Sequence, residues 1–173
     1  INKNTCGILV EPLQGEGGMR IPPPGFLRGL REIADDHDLL LLLDEIQVGL
    51  GRTGKTFCFE HEAIVPDGLI LGKALSGGLV PLSAFITNGR LMDLAFQVGS
   101  DGSTYGGYPL ACVAGVTALE VLQEERLADA AKIQGQKLKQ RLMNIALRSK
   151  DIKEVRGKGL FIVIPPVLLV LAA

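Results

Sequence analysis

The chain has 173 residues, with 18 Lys+Arg against 19 Asp+Glu, so its charge is nearly balanced. No basic stretch is interleaved with aromatics, which argues against nucleic acid as a partner. The length suits one main hydrophobic core, and the apolar tail from Phe161 to Ala173, broken by Pro165 and Pro166, is too short for a membrane span, which needs about 20 helical residues.

Cys6 to Val10 reads as a buried strand that Glu11-Pro12 ends, because proline cannot continue a central ladder. Gly15, Gly17 and Gly18 then make a loop. From Pro24, the apolar positions Phe26, Leu27, Leu30, Ile33 and Ala34 recur at helical spacing, with Pro24 suited to the first turn and His37-Asp38 at the exit. Leu39 to Leu43 is a continuous apolar run, as expected of a parallel strand covered by helices on both faces. Gly68 to Leu71 and Leu82 to Ile86 are further short strands, so the pattern is an α/β fold with a mostly parallel sheet flanked by helices.

After Pro109, Leu110 to Leu122 and Leu127 to Leu147 are two long helices by their three- and four-residue spacing. In the second, Leu127, Ala131, Leu138, Leu142 and Ile145 line one side. Lys132, Lys137, Lys139 and Arg141 then form a solvated basic face. Cys6, Cys58 and Cys112 are far apart, odd in number and set among apolar or small residues, which predicts buried, reduced thiols and an intracellular setting. His37 and His61 fit no ligand spacing, so they read as surface or loop histidines and no metal is expected. No secretory or transit segment is legible at the start.

Two residues carry the chemistry. Asp44 follows the leucine strand and so stands at a carboxyl end of the sheet, where ligand clefts form. Lys73 lies in LGKALSGG, among residues small enough to let a flat ligand approach the backbone. A carboxylate that keeps a pyridine nitrogen protonated and an amine that forms an imine are what pyridoxal 5'-phosphate chemistry requires. Taken singly, each has a plainer reading: Asp44 caps the following turn, and Lys73 is a surface lysine in a glycine-rich loop.

The ordered strings EPLQGEGG (11–18), DEIQVGLGRTGK (44–55), PDGLILGKALSGG (66–78) and GSTYGGYPLA (102–111) together resemble the class III (omega-amino acid) aminotransferases, and within them the ornithine-acting members. The resemblance runs from about Gly7 to about Phe161 and covers the middle of such an enzyme. It implies part of a type I pyridoxal phosphate transferase large domain at residues 1–125. A linking helix and the start of a small C-terminal domain, truncated, follow at 126–173. It implies that Lys73 is both tether and proton shuttle, that Asp44 and Gln47 contact the cofactor ring, and that Glu16, with Glu11, lies near the substrate. Glu11 and Glu16 read equally well as loop carboxylates in water.

Ser103 and Thr104 precede a glycine pair and a helix start, an anion site by their hydroxyls and free N–H groups. In the family this segment serves the phosphate of the partner subunit's cofactor, which implies a homodimer. The implied reaction moves the omega-amino group of ornithine, or a similar amino acid, to 2-oxoglutarate, in the mitochondrial matrix or cytoplasm. With the family's later arginine and its N-terminal ring contacts outside the matched stretch, the chain alone is expected to be inactive or nearly so.

Two other readings compete. GLGRTGKT (49–56) matches the phosphate-loop pattern, and Gly49, Gly51 and Gly54 fit G-x-G-x-x-G. A phosphate loop should follow its strand directly and open a long helix, yet Asp44 to Val48 intervene and Pro66 soon ends the segment. The other is a non-catalytic relic of an aminotransferase.

Overall fold

Residues 1–100 and 102–165 are described by a computed structural model. The leucine run forms β2, Leu40–Asp44, one residue later than its apolar limits suggest. It lies between β1, Gly7–Val10, and β3, Gly68–Leu71, parallel to both. β4, Ala84–Thr87, closes the order β1-β2-β3-β4 and runs antiparallel to β3. The sheet is therefore mostly parallel, as predicted.

Helix α1, Phe26–Asp36, connects β1 to β2 and drives Leu27 and Ala34 onto Leu41 and Leu43, both 0% exposed. Removing each of these leucines from water contributes about 2 kcal/mol. Gly25 caps the helix, so Pro24 sits just outside it rather than in its first turn. The opposite sheet face departs from expectation. Leu40 and Leu42 are only half-buried, and Leu9, level with Leu42, is 64% exposed. Among the described residues helices cover one face, because α1 and the Leu75 turn both pack on the Leu41–Leu43 side. Side chains alternate along a strand, so Asp44 shares the open face with Leu42.

Helix α2, Gly89–Ala95, was not anticipated, although Asn88 caps it with its side chain accepting the Leu91 N–H at 2.9 Å. Helices α3, Pro109–Glu124, and α4, Leu127–Ala146, match the predicted pair. The inner face of α4 is different from the one its leucines suggest. Ala131 and Gly135 are its buried residues, whereas Leu138 and Ile145 are exposed. A Cβ on Gly135 would overlap the carbonyl of Gly159, so the small residues set the contact. Gly159 lies in the turn of a hairpin made by β5, Arg156–Lys158, and β6, Phe161–Val163.

That contact also corrects the basic face: Lys139 is half-buried and donates to the Gly157 carbonyl at 3.2 Å. Cys58 is buried, but Cys6 and Cys112 are exposed, the first ahead of β1 and the second on the outer side of α3. All three thiols are free. His37 is exposed as expected; His61 is half-buried, with Nε2 3.1 Å from Thr53 Oγ1. The apolar tail is described only to Pro165, and residues 166–173 lie outside the described residues. No described helix is long and apolar enough to cross a membrane.

Candidate active site

Three parallel strands point their carboxyl ends the same way, and the loop after each carries predicted site residues. Glu11 and Glu16 follow β1, Asp44 and Gln47 sit at and after the end of β2, and Lys73 opens a short 3-10 turn, Lys73–Ser76, two residues beyond β3. Asp44 pairs in register with Ile70 of β3, three residues ahead of Lys73. The loops also touch: a Cβ on Gly72 would stand 3.5 Å from the Ile46 side chain. Carboxylate and lysine thus emerge from neighbouring strands about 5 Å apart, at the end of a parallel sheet where ligands bind.

Each side chain has its own surroundings. Asp44 Oδ1 accepts the Ile46 N–H at 3.0 Å, which fixes the carboxyl. Its second oxygen takes no partner among the described residues, so it is free to hold a protonated ring nitrogen. Lys73 is exposed, and its Nζ likewise has no hydrogen-bond or ion-pair partner among the described residues. Its φ of 46 lies in the left-handed region, a strained setting for a residue with a Cβ and one common at functional sites.

Gln47 donates from Nε2 to Glu16 Oε1 at 3.4 Å and presses on Gly15, where a Cβ would overlap its amide. Glu11 turns inward, accepting the Gly15 N–H at 3.1 Å, so that carboxylate shapes its own loop. Glu16 is the exposed one of the pair. Gly15 has no positive φ and can accept alanine by displacing the flexible Gln47 amide. Gly15→Ala is therefore expected to leave melting within a few degrees of the parent while weakening pyridoxal phosphate binding severalfold. A titration followed by cofactor absorbance checks this, and unchanged affinity would remove Gln47 from the ring site.

Ser103 and Thr104 are exposed ahead of α3, and among the described residues no hydrogen bond links them to Asp44 or Lys73. The structure brings Gln47 to Glu16 and sets Asp44 and Lys73 at the ends of neighbouring strands. Helix α3 packs on the Lys73–Ser76 turn, with Gly115 giving room to Leu82. The residues present therefore suit the ring end of the cofactor.

Sequence reasoning missed Glu45. It is 1% exposed, and its two oxygens accept the N–H groups of Cys58 and Phe59 at 2.6 and 2.8 Å. Burial pushes its carboxyl up to about 7, in spite of those two bonds. Burial also pushes the Cys58 thiol up to about 12, helped by the nearby Glu45. The available signal was a second acid in an apolar run beside Asp44; its partners lie 13 and 14 residues on, beyond any local spacing.

The nucleotide reading of residues 49–56 finds no support. Gly51 and Gly54 have φ of 90 and 91, and their N–H groups bond inside the loop, to Thr56 and Gly51 carbonyls. A Cβ on Gly54 would stand 2.9 Å from Lys132 Cβ, and Leu160 N–H bonds the Arg52 carbonyl at 2.9 Å. The glycines let the loop pass under α4 and the hairpin. The next element is a 3-10 turn, Cys58–His61, not a long helix.

With this geometry in hand, comparison with known proteins is decisive. The family profile described as aminotransferase class-III matches residues 1–167. The chain belongs to the class-III aminotransferases. It is 49% identical over 162 residues to ornithine aminotransferase 1 of Staphylococcus aureus, covering 94% of this chain and 40% of that relative. The chain thus spans about 40% of the length of the curated relatives it matches.

Among solved structures, the ornithine aminotransferase of Toxoplasma gondii superposes with a TM-score of 0.88 at 44% identity, covering 90% of this chain and 37% of that one. That enzyme shows partial occupancy of PLP at its active site. Acetylornithine aminotransferase from Elizabethkingia anophelis gives 0.87 at 44% identity, covering 90% and 40%.

Proposed function

We propose that this chain carries the ring-binding and lysine-bearing part of a pyridoxal-phosphate-dependent transaminase. In this reading the enzyme moves the omega-amino group of ornithine, or a similar amino acid, to 2-oxoglutarate. The observation that carries the reading is the emergence of Asp44 and Lys73 at the carboxyl ends of adjacent parallel strands, with Ile46 and Gly72 in contact between them. Bound there, pyridoxal phosphate would supply an aldehyde that condenses with amines and a pyridinium ring that accepts an electron pair. Asp44 would hold the proton on the ring nitrogen, and Lys73 would serve as the imine-forming amine and as the general base and acid that moves the proton at the reacting carbon. Gln47 and Glu16 flank the ring and the substrate side, and Ser103 and Thr104, standing clear of the site, fit a role toward the phosphate of a partner subunit in a homodimer. Residues 1–125 and 126–173 then correspond to large-domain and small-domain portions.

Ornithine is favoured by the Staphylococcus aureus and Toxoplasma gondii relatives, while an acetylornithine enzyme at the same 44% identity as the Toxoplasma gondii one makes the amino donor a separate measurement. The test is to add pyridoxal phosphate to the purified chain, reduce with borohydride and map the adduct by mass spectrometry. Modification concentrated on Lys73 is expected, with no amine transfer above the cofactor-only background from the chain alone, because groups that act as a unit lose far more than their share when separated. Modification spread evenly over the lysines would favour the non-catalytic reading instead.

A further inference from the structure

A second cleft lies away from the lysine and aspartate. It measures about 320 Å³ and opens between the 49–56 loop, α4 and the β5–β6 hairpin. Its side chains include Lys55, Lys132, Lys139, Lys158 and His61, joined by Thr53 and Gln136, and the remaining lining is glycine. No apolar side chain faces it. Lysine donates hydrogen bonds and accepts none, so its side chains bring positive donors to a wall whose remaining surface is mostly methylene and glycine carbon.

The charges are not answered within the fold. Among the described residues no carboxylate forms an ion pair with any of the four lysines, and only Lys139 has a hydrogen-bond partner, the Gly157 carbonyl. Glu62 lines an adjoining crevice with Cys58, His61 and Lys158, not the cleft itself. The mutual approach of the cations is felt at His61. Burial first and then Lys158 push its imidazole down to about 4 against a hydrogen bond with the Thr53 backbone, with smaller pushes from Lys55 and Lys132. Four lysines lining one cleft without ion-paired carboxylates among the described residues offer complementary charge to a multivalent anion, and a cleft of this size exceeds the needs of a single chloride.

We propose that this cleft binds a small polyanion presenting several phosphate or carboxylate oxygens. The site is separate from the aminotransferase chemistry, since neither Asp44 nor Lys73 lines it. It is also unlike a phosphate loop, because the loop's own glycine N–H groups are bonded internally and the charge comes from side chains on three elements. Nearly neutral net charge keeps the attraction local to the cleft.

The experiment titrates the full chain with pyrophosphate and, separately, with citrate at constant ionic strength. Binding is followed by calorimetry and by the NMR titration of His61. Pyrophosphate or citrate binding should raise the His61 midpoint, and the stronger of the two identifies the oxygen source. In Lys55→Ala/Lys132→Ala, whose side chains are exposed, binding should weaken at least tenfold with the melting temperature kept. Ser103→Ala/Thr104→Ala should leave it unchanged. Absence of binding by both anions overturns the proposal, as does equal affinity in the lysine variant, or loss of binding in the hydroxyl variant alone.

Discussion

Replacing Lys73 with alanine is expected to remove the borohydride-trapped cofactor adduct altogether, because the imine forms on that amine. The fold should not notice, because the side chain is exposed and its amine has no partner among the described residues. Lys73→Gly separates chemistry from structure. The backbone at φ 46 strains any residue with a Cβ, and glycine relieves about 1 kcal/mol of that strain. The glycine variant should therefore melt about 2–4 °C higher than the parent while carrying no adduct. Mass spectrometry of the reduced protein and a thermal melt on the same samples decide it. A trapped adduct persisting in both variants would place the tether on another lysine.

What could be read from the sequence follows from how far each interaction reaches along the chain. The position of Asp44 and Lys73 at neighbouring strand ends was legible because strand ends and glycine-rich turns are local features, and β2 and β3 lie side by side. The strand Gly68–Leu71 was read to the residue, since Asp67 and Gly72 bound it. The inner face of α4 was read correctly at Ala131 but missed at Gly135, which meets Gly159 of the hairpin while Leu138 and Ile145 stay exposed, because close approach favours the smallest residue over the most apolar ones. The phosphate-loop match was a coincidence of composition. Glycine is needed at residues 51 and 54 for positive φ and for room under α4, which depends on a helix some eighty residues later. The open face beside Leu9 and Leu42 could not be read either, as a run of leucines states only that a strand is apolar.

Glu45 sets the largest expected change in stability. Glu45→Ala strips both acceptors from the Cys58 and Phe59 N–H groups and leaves them buried, at a cost of about 3 kcal/mol near pH 5. For a chain of this length that is roughly 6–12 °C of melting temperature. The pH dependence carries a sign. The folded carboxyl, at about 7, binds its proton more tightly than the ordinary value of 4.5, so its stabilising effect is full below pH 4.5 and is lost as pH rises toward 7. For this buried group alone the loss amounts to about 3 kcal/mol. His61, held near 4 by burial and by Lys158, works the other way: its contribution is full above pH 6.5 and is lost as pH falls through 4, damped by its half-exposed setting. The two slopes oppose each other between pH 4.5 and 6.5 in the parent. Glu45→Gln keeps one neutral acceptor, at the cost of one of the two N–H bonds at every pH, and removes the carboxyl titration. Relative to the parent its melting temperature should climb steadily between pH 4.5 and 7, and parallel melting curves for the two proteins across that window would mean that the Glu45 carboxyl is already ionised in the folded chain.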